Sequence, residues 1–327
     1  MSASLAMAES MGRLRPMFAP KKRIYRALST AAEPTPELNV AEWAEQRRYV
    51  SAEAGSSRPG KWSNATVPFA VEIMLCLAPE HPARIVTMMI ASQIVKTEIG
   101  LNWIGQTMDV DPAPFLVMQP SLDEARLFSS TKFEPMVEAT PSLKGKVFDV
   151  VERSRSGSTT RTKKFRGGVL HIVSAGASKD LQGKSVKRVF ADEIAEYKMD
   201  AGDRGDPLAQ GITRTDGHAD YKVLQASTPK ELPTCRITDE YEKGDRRRYY
   251  VACPHCAVRQ TLELEGLVSQ GEAAFYTCGA CGVLIGEEHK TAMLAEGVWL
   301  KTYPSDDAEN PFPPSLIEPQ DLERWRA

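Results

Sequence analysis

The stretch Arg84-Ile-Val-Thr-Met-Met-Ile-Ala-Ser-Gln-Ile-Val-Lys-Thr-Glu-Ile-Gly-Leu-Asn-Trp-Ile104 decides the fold of this chain. Residues 85–90 form an apolar, β-prone run, and the short turn 91–93 follows it, so the sequence predicts a buried strand and a loop. From Thr97 to Met108, core-type residues recur at spacings of three and four, as they do along one face of a helix. A strand, a loop and a helix in direct succession are typical of an α/β fold with a parallel sheet.

Lys96 and Thr97 lie at the junction between the predicted strand and the predicted helix. The first N–H groups of a helix have no intrahelical partner, and the helix dipole favours an anion there. A lysine at this place can neutralise phosphate oxygens and a threonine hydroxyl can coordinate Mg²⁺, as in a nucleotide-binding P-loop. The match to G-x-x-x-x-G-K-[ST] is incomplete, because Ile90 and Val95 occupy the glycine positions. An ordinary buried helix start is the alternative interpretation.

Composition and charge narrow the class of protein. The chain has 327 residues, of which 42% are hydrophobic and 26% are charged, as in soluble globular proteins. No apolar run approaches the roughly 20 residues of a membrane-spanning helix, and the N-terminus lacks a secretory signal pattern. We therefore expect a cytoplasmic protein with no membrane partner. The formal net charge is −2, so any nucleic-acid-binding surface must be a local patch.

A second apolar run, residues 186–191, ends in two adjacent carboxylates, Asp192 and Glu193. At the carboxyl end of a strand they would project into the crevice where α/β sheets bind ligands. Asp192 is then suited to hold Mg²⁺, and Glu193 to orient and deprotonate an attacking water. A strand followed by an acidic turn is the alternative. The order of parts along the chain, however, is the one that a nucleoside triphosphatase needs.

Further polar residues are candidates for the same site or for a nucleic-acid surface. The buried strand predicted at 223–226 ends in Ser227 and Thr228, whose hydroxyls are well placed to sense a γ-phosphate. Arg214, in the polar loop before that strand, is a candidate for an arginine that stabilises transition-state charge. One polar segment predicts either a solvated hairpin or a contact with DNA phosphates, and it holds Arg153, Arg155, Arg161, Lys163, Lys164 and Arg166.

Four of the six cysteines form two C-x₂-C pairs, Cys253 with Cys256 and Cys278 with Cys281. In a cytosolic chain such pairs favour metal binding over disulfides. Four thiolates at this spacing are typical of a closed structural Zn²⁺ site, with no open coordination position for catalysis. Each pair follows β-prone residues, so we expect a small zinc-ribbon-like β module.

Two capping patterns mark further helices. Asn39 predicts a helix start, with the helix running through Val50. Ser121 and Glu124 form the pattern of a capping box in front of a third helix. Together with the strands above, these helices predict a sheet flanked by helices.

Taken together, these stretches resemble the large terminase subunit of tailed phages, of the lambda type. The likeness runs from about Glu42 to Trp299, and seven blocks in the right order are far more specific than any one of them. The blocks are SQIVKTE (92–98), VMQPSLDEA (117–125), GGVLHIVSAG (167–176), RVFADE (188–193), GDPLA (205–209), ASTP (226–229), and RRYYVACPHC (247–256) with its partner CGACG (278–282).

The resemblance implies an ATP-driven DNA-packaging motor built on a mainly parallel, ASCE-type P-loop sheet. It implies that the phosphate loop runs from Ser92 to Thr97 and includes Gln93. It also implies that residues 227–229 couple hydrolysis to movement. It further implies that the carboxylates at 192 and 193 are the metal-side and catalytic acids. The partners that it implies are double-stranded DNA, a small terminase subunit, the portal of the procapsid, and other copies of the chain in a ring.

We expect the chain to divide into four parts. These are a flexible arm (1–38), a P-loop ATPase domain (39–245), a zinc-ribbon-like module (246–300), and a linker or truncated tail (301–327). Members of the family carry a metal-dependent nuclease after the ATPase, but no acidic cluster of that kind follows Trp299. We therefore expect no DNA cleavage by these residues.

The lead hypothesis is hydrolysis of ATP with Mg²⁺, coupled to movement of double-stranded DNA. We expect contacts with DNA phosphates at Arg153–Arg166 and at Arg246–Arg248. Two alternatives stay open, a non-catalytic zinc-ribbon nucleic-acid-binding or assembly protein with a degenerate P-loop, and a helicase-like ATPase. Val95 bears on the choice. If its position needs a positive φ, a β-branched side chain there costs roughly 1–2 kcal/mol.

Overall fold

The computed structural model of the protein describes residues 37–148, 159–200, 202, 204–230, 235–271, 273–302 and 315–325. The arm expected over 1–38 lies outside this part of the chain except at residues 37 and 38. Two members of the predicted basic segment, Arg153 and Arg155, also lie outside it.

Strands and helices alternate through the first part of the described chain. The strands are β1 (Tyr49–Val50), β2 (Gly60–Lys61), β3 (Ile85–Met89), β4 (Phe115–Gln119), β5 (Thr162–Phe165), β6 (Gly168–Ser174), β7 (Arg188–Asp192) and β8 (Lys222–Ser227). The helices are α1 (Val40–Arg47), α2 (Phe69–Cys76), α3 (Lys96–Asp109), α4 (Leu122–Phe128), α5 (Glu134–Ala139), α6 (Ser178–Leu181), α7 (Pro207–Ile212) and α8 (Arg236–Glu242).

Six of these strands form the central sheet of the described residues, in the order β3-β8-β7-β4-β6-β5. The first five are parallel to their neighbours, and β5 pairs with β6 in the antiparallel sense. The prediction of a mixed α/β fold with a mostly parallel sheet is therefore confirmed.

Each face of this sheet carries a hydrophobic cluster. Side chains alternate between the faces of a strand, so Phe115 and Val117 pack into one cluster while Leu116 and Met118 pack into the other. Strands β4, β7 and β8 are buried at every position. Burial on both faces explains why these strands are continuous apolar runs in the sequence rather than alternating ones.

Helix α3 packs directly against the sheet and carries the start of the candidate site. A Cβ at Gly100 would overlap the ring of Phe190 on β7, so the missing side chain lets the helix approach closely. The ring of Trp103 meets that of Phe115 edge to face, with centroids 4.7 Å apart. These contacts hold the first turn of the helix in place relative to the strands.

The capping predictions are confirmed, with one correction. Asn39 accepts a hydrogen bond from the third amide of α1, and Ser121 and Glu124 form a capping box on α4. Helix α1 ends at Arg47, however, and does not continue to Val50. The residues that follow pair with β2 instead, which satisfies their backbone groups in a different way.

The C-terminal part of the described chain is mostly antiparallel β-structure. Its elements are β9 (Arg248–Ala252), β10 (Arg259–Gln260), β11 (Leu267–Gln270), β12 (Ala273–Thr277), β13 (Leu284–Ile285), α9 (Lys290–Ala295), β14 (Val298–Leu300) and β15 (Leu316–Ile317). Two small sheets result, β14-β9-β10-β15 and β11-β12-β13. We call residues 246–300 the β module.

The β module contacts helix α2. The indole of Trp299 donates a hydrogen bond to the carbonyl of Phe69 (2.9 Å), and Arg247 forms an ion pair with Glu72. The ring of Tyr249 packs against that of Phe69, with centroids 6.1 Å apart.

Part of the expected tail is ordered structure. Strand β15 pairs with β10, and Ile317 is buried with Tyr250 and Leu300. A short apolar pair between proline-rich stretches gives too weak a periodic signal for sequence reasoning to detect. Among the described residues, no helix has the length and apolar character that crossing a bilayer requires.

Candidate nucleotide-binding site

Three strands of the central sheet end at one level. In the parallel register, Met89 of β3 lies opposite Ser227 of β8, and Asp192 of β7 lies opposite Ala226. The loops that follow β3, β7 and β8 therefore meet at the same edge. The candidate nucleotide site is the group of side chains that these loops and the start of α3 bring together, namely Lys96, Thr97, Asp192, Glu193, Ser227 and Thr228.

The loop between β3 and α3 has a strained backbone. Gln93 has φ 61° and Val95 has φ 34°, both in the left-handed region that favours glycine. Val95 occupies the position before the first residue of α3 and supplies no side-chain cap. The position of Val95 thus has the positive φ on which the sequence-based expectation depended. The β-branched side chain there lowers the stability of the folded state by roughly 1–2 kcal/mol.

Lys96 is surrounded by oxygen atoms. Its side chain is only 5% exposed, and its Nζ lies 3.3 Å from Oε1 of Glu193. The same ammonium donates to the hydroxyl of Thr228 and to the carbonyl of Ile90 (3.4 Å). A buried cation needs such partners, because an unpaired one would keep the full cost of desolvation.

Asp192 is a buried carboxylate, and one of its two oxygens has no hydrogen-bond partner within the described residues. Its Oδ2 accepts hydrogen bonds from the hydroxyl of Thr97 (3.3 Å) and from Nε2 of Gln119 (3.4 Å). Within the described residues, its Oδ1 is buried and has no hydrogen-bond partner. Burial, and then the neighbouring charge of Glu193, raise the pKa of Asp192 to about 6. A hard cation such as Mg²⁺, which prefers carboxylate and hydroxyl oxygens, fits this donor set.

Glu193 is held by the segment after β8. Its Oε2 accepts hydrogen bonds from the hydroxyl of Ser227 (3.2 Å) and from the amide of Thr228 (3.4 Å). Its backbone is left-handed, with φ 51°, and its side chain is 40% exposed. This carboxylate is therefore oriented and still open to water.

Sequence reasoning missed one residue of this site, Gln119. It is buried at the end of β4, beside β7, where its amide group reaches Asp192. The signal was a polar residue directly after the apolar run 115–118. Tyr197 is a second buried neighbour, whose hydroxyl donates to the carbonyl of Met118 (2.8 Å).

The structure does not bring Arg214 to this site, and its predicted role within the same chain is wrong. Its carbonyl accepts the amide of Val186 (3.0 Å), just before β7 begins, whereas Asp192 ends that strand. A strand rises about 3.3 Å per residue, so β7 alone separates the two places by about 13 Å. The guanidinium is bound locally, to the carbonyl of Gln210 and the hydroxyl of Thr213. The spacing of residues along the sequence does not show at which end of the strands a loop lies. It therefore could not place Arg214 at the amino or the carboxyl end of the sheet.

The four cysteines of the β module form a second candidate site. Their sulfur atoms all lie within 4.8 Å of one another. Sγ of Cys253 lies 4.0 Å from that of Cys281, and Sγ of Cys256 lies 3.8 Å from that of Cys278. Zn–S bonds of about 2.3 Å in tetrahedral geometry place sulfur atoms about 3.8 Å apart. The donor set therefore fits a Zn²⁺ ion.

The two cysteine turns repeat one backbone geometry. The amide of Ala257 donates to the carbonyl of Cys253, and that of Gly282 donates to the carbonyl of Cys278, both at 2.9 Å. Ala257 and Gly282 both have a positive φ, 62° and 74°. Burial alone would raise the pKa of Cys278, but amide hydrogen bonds to its sulfur, with the neighbouring thiols, lower it to about 7.

A sequence model of the family described as phage terminase large subunit gpA, ATPase domain, matches residues 56–299. The chain belongs to this family. The matched segment contains every residue of the candidate nucleotide site and all four cysteines of the β module.

Two curated members of the terminase group are similar to the chain. The large terminase subunit of Enterobacteria phage P21 is 28% identical over 275 residues, which are 80% of this chain and 42% of that subunit. The large terminase subunit of Escherichia phage lambda is 27% identical over 237 residues, or 72% of this chain and 36% of that subunit. The match thus spans less than half of either relative. The crystal structure of the HK97 bacteriophage large terminase gives a TM-score of 0.48 at 16% identity, covering 63% of this chain and 41% of that one.

The strain in the loop of this terminase chain predicts that glycine at position 95 gives a more stable protein than alanine, the reverse of the usual order. Val95→Gly should unfold with a free energy about 1 kcal/mol higher than Val95→Ala, because only glycine accepts φ 34° without a Cβ penalty. Comparing these two variants removes the packing of the valine methyl groups from the result. At Ile94, which is not among the positive-φ residues, alanine should be the more stable of the two. Urea unfolding measures all four variants, and a more stable Val95→Ala would contradict the strain.

The raised pKa of Asp192 predicts a stability that depends on pH. The folded pKa of about 6 lies above the ordinary value of 3.8, so its contribution to stability falls as pH rises from about 4 through 6. Without Mg²⁺, Asp192→Asn should therefore be more stable than wild type at pH 7.5, by about 3 kcal/mol, and the gain should shrink towards pH 4.5. Urea unfolding at both pH values tests this. Asp123→Asn, at an exposed carboxylate, is the control. A gain that is equal at both pH values would refute the desolvation argument.

Proposed function

We propose that this chain binds ATP with Mg²⁺ at the candidate nucleotide site and hydrolyses it. The observation that carries the proposal is the meeting of Lys96 with Glu193, and of Thr97 with Asp192, at the edge where three parallel strands end. Membership of a terminase ATPase-domain family supports the same conclusion. The parallel order of the strands is consistent with an ASCE-type P-loop domain over residues 39–245.

In this proposal, the phosphate loop from Ser92 to Thr97, with Gln93 at its turn, presents amide groups to the β- and γ-phosphates. Lys96 neutralises phosphate oxygens. Thr97 and Asp192 hold Mg²⁺, which supplies further charge compensation on the phosphates. The unpartnered Oδ1 of Asp192 supports its assignment, because a cation would remove the cost of that buried oxygen.

Glu193 would orient and deprotonate the attacking water. Its Oε2 is anchored by Ser227 and Thr228, while its Oε1 faces Lys96. The ammonium of Lys96 has Ile90, Glu193 and Thr228 as partners, so a triphosphate that accepts from it would replace at least one of these contacts. Replacement of the Glu193 or Thr228 contact would link ATP binding to the catalytic glutamate or to residues 227–229. This exchange gives a physical basis for the proposed coupling of hydrolysis to movement.

We further propose that hydrolysis drives double-stranded DNA into a procapsid, in the cytoplasm of a bacterial host. The relatives named as large terminase subunits support this. The proposed partners are a small terminase subunit, the portal, and other copies of the chain in a ring. Because Arg214 lies away from the site, the stabilising arginine would come from a neighbouring copy.

The expected DNA contacts need revision. Each arginine of the triplet Arg246–Arg248 forms at least one ion pair. The first pairs with Glu242, the second with Glu72 and Asp245, and the third with Glu263. In the basic segment, Lys163 is buried and pairs with Glu134. The buried Lys163 therefore offers no spare charge to a phosphate, and a phosphate at the arginine triplet would have to displace these carboxylates.

For the β module, we propose a structural Zn²⁺ bound by Cys253, Cys256, Cys278 and Cys281. Four thiolates leave no open position, so the ion would have no catalytic role. The local hydrophobic cluster is small, and two of its five buried members, Cys253 and Cys278, are themselves proposed ligands. A bound metal would therefore add to the stability of this part of the module.

Glu193→Gln tests the proposed role of the glutamate. The variant should bind Mg²⁺-ATP like wild type but lose turnover at least about 100-fold, because no base is left to take the proton from water. Glu196→Gln, three residues further on, pairs only with Lys230 in the described residues and should keep full turnover. A coupled phosphate-release assay and nucleotide titration measure both properties. Absence of Mg²⁺-dependent ATP binding in wild type would instead favour a non-catalytic assembly protein.

Metal analysis tests the proposed zinc site. Purified protein should contain about one Zn²⁺ per chain, and Cys256→Ser should lose it and lower the melting temperature of the β module. Cys76→Ser alters a cysteine outside the cluster and should retain the metal. Equal zinc content in the two variants would show that the cluster does not bind zinc.

A further inference from the structure

A second cleft lies beside β5, the outermost strand on one side of the central sheet. Lys96 follows β3, the outermost strand on the other side. The volume of this cleft is about 350 Å³. Strands β5 and β6 contribute to it, whereas β3, which leads to the phosphate loop, is at the other edge. We call it the basic cleft, and its charged and polar lining includes Arg126, Arg161, Thr162, His171, Asp180 and Lys184.

The basic cleft holds more cations than carboxylates. Arg161 forms an ion pair with Asp180. Lys184 donates to the backbone carbonyl of Asp180, and within the described residues it forms no ion pair with a carboxylate. Arg126 is exposed, and its partner Asp123 lies 3.1 Å away on the same helix.

Arg214 adds to this surplus of positive charge. It does not reach the nucleotide site, and its carbonyl accepts the amide of Val186, two residues after Lys184. Burial lowers the pKa of Lys184, and the charges of Arg161 and Arg214 lower it further against the opposing effect of Asp180. Burial, and then Lys184, also lower the pKa of His171. Cations that repel one another in this way would be relieved by a bound anion.

The lining also indicates what kind of anion fits. Besides the charged groups, the cleft offers threonine hydroxyls at 159, 160 and 162. Cations and hydroxyls are the groups with which proteins contact backbone phosphates, and such contacts carry no sequence information.

We propose that the basic cleft binds a backbone phosphate of double-stranded DNA, with Lys184 and Arg126 as the cations that contact it. The choice of DNA as the source of the phosphate rests on the proposed packaging function. The cations come from α4, from the residue before β5, and from the segment after α6, so the cleft exists only in the folded chain. Of the described members of the basic segment, only Arg161 lines it.

Fluorescence anisotropy of a mixed-sequence DNA duplex with the full chain, at several salt concentrations, tests the proposal. Lys184→Gln and Arg126→Gln should each weaken binding about 3–10-fold and reduce the slope of log K against log salt by about 1. Lys184→Arg keeps the charge and should bind like wild type. The matched control is Lys144→Gln, at an exposed lysine outside the cleft, which should change neither quantity. Thermal unfolding confirms that each variant is folded.

Several outcomes would overturn the proposal. Unchanged DNA binding in both cleft variants would exclude the cleft, and an equal loss in Lys144→Gln would mean that only net charge matters. Weaker binding of Mg²⁺-ATP by Lys184→Gln, with DNA binding unaffected, would assign the phosphate to a nucleotide. If wild type hydrolyses ATP but does not bind the duplex, the cleft proposal fails while the ATPase proposal stands. If wild type binds the duplex but does not hydrolyse ATP, the ATPase proposal fails and the cleft proposal stands.

Discussion

Main-chain hydrogen bonds between the parallel strands β3, β8 and β7 hold Met89, Ser227 and Asp192 near one level of the sheet. Everything at the candidate nucleotide site depends on this register. A slip of one residue in β7 would turn Asp192 to the other face and separate it from Thr97. Both faces are packed, so such a slip would exchange side chains of different size between the two clusters, Phe190 and Ala191 for example, and the resulting clashes and cavities make it costly.

The same edge concentrates unfavourable features that the rest of the fold must offset. Val95 and Glu193 have left-handed backbones, Asp192 is desolvated, and one of its oxygens has no partner in the described residues. Strain and buried charge persist only where surrounding packing over-determines them. The close approach of Gly100 to Phe190 supplies such packing at the base of α3. The Mg²⁺ and triphosphate that we propose for this site would offset part of these costs.

Arginine and lysine side chains serve two purposes in this chain, and burial with ion pairing separates them. Arg247 and Lys163 are tied to carboxylates and fasten elements together. Lys184 and Arg214 lack carboxylate ion pairs within the described residues and leave a positive field near the far edge of the sheet. Because the whole chain is close to neutral, such a local excess is informative where net charge is not.

The sequence by itself determined the elements of the core and the order of the chemical groups. Apolar runs predicted β3, β7 and β8, periodicity predicted α3, and the cysteine spacing predicted a four-sulfur cluster, because each of these signals is local along the chain. Only the tertiary structure decided which groups meet. It placed Gln119 beside Asp192 and assembled the basic cleft from four separate segments. It also removed Arg214 from the nucleotide site, because strand order and direction depend on packing between distant residues, which no local pattern encodes.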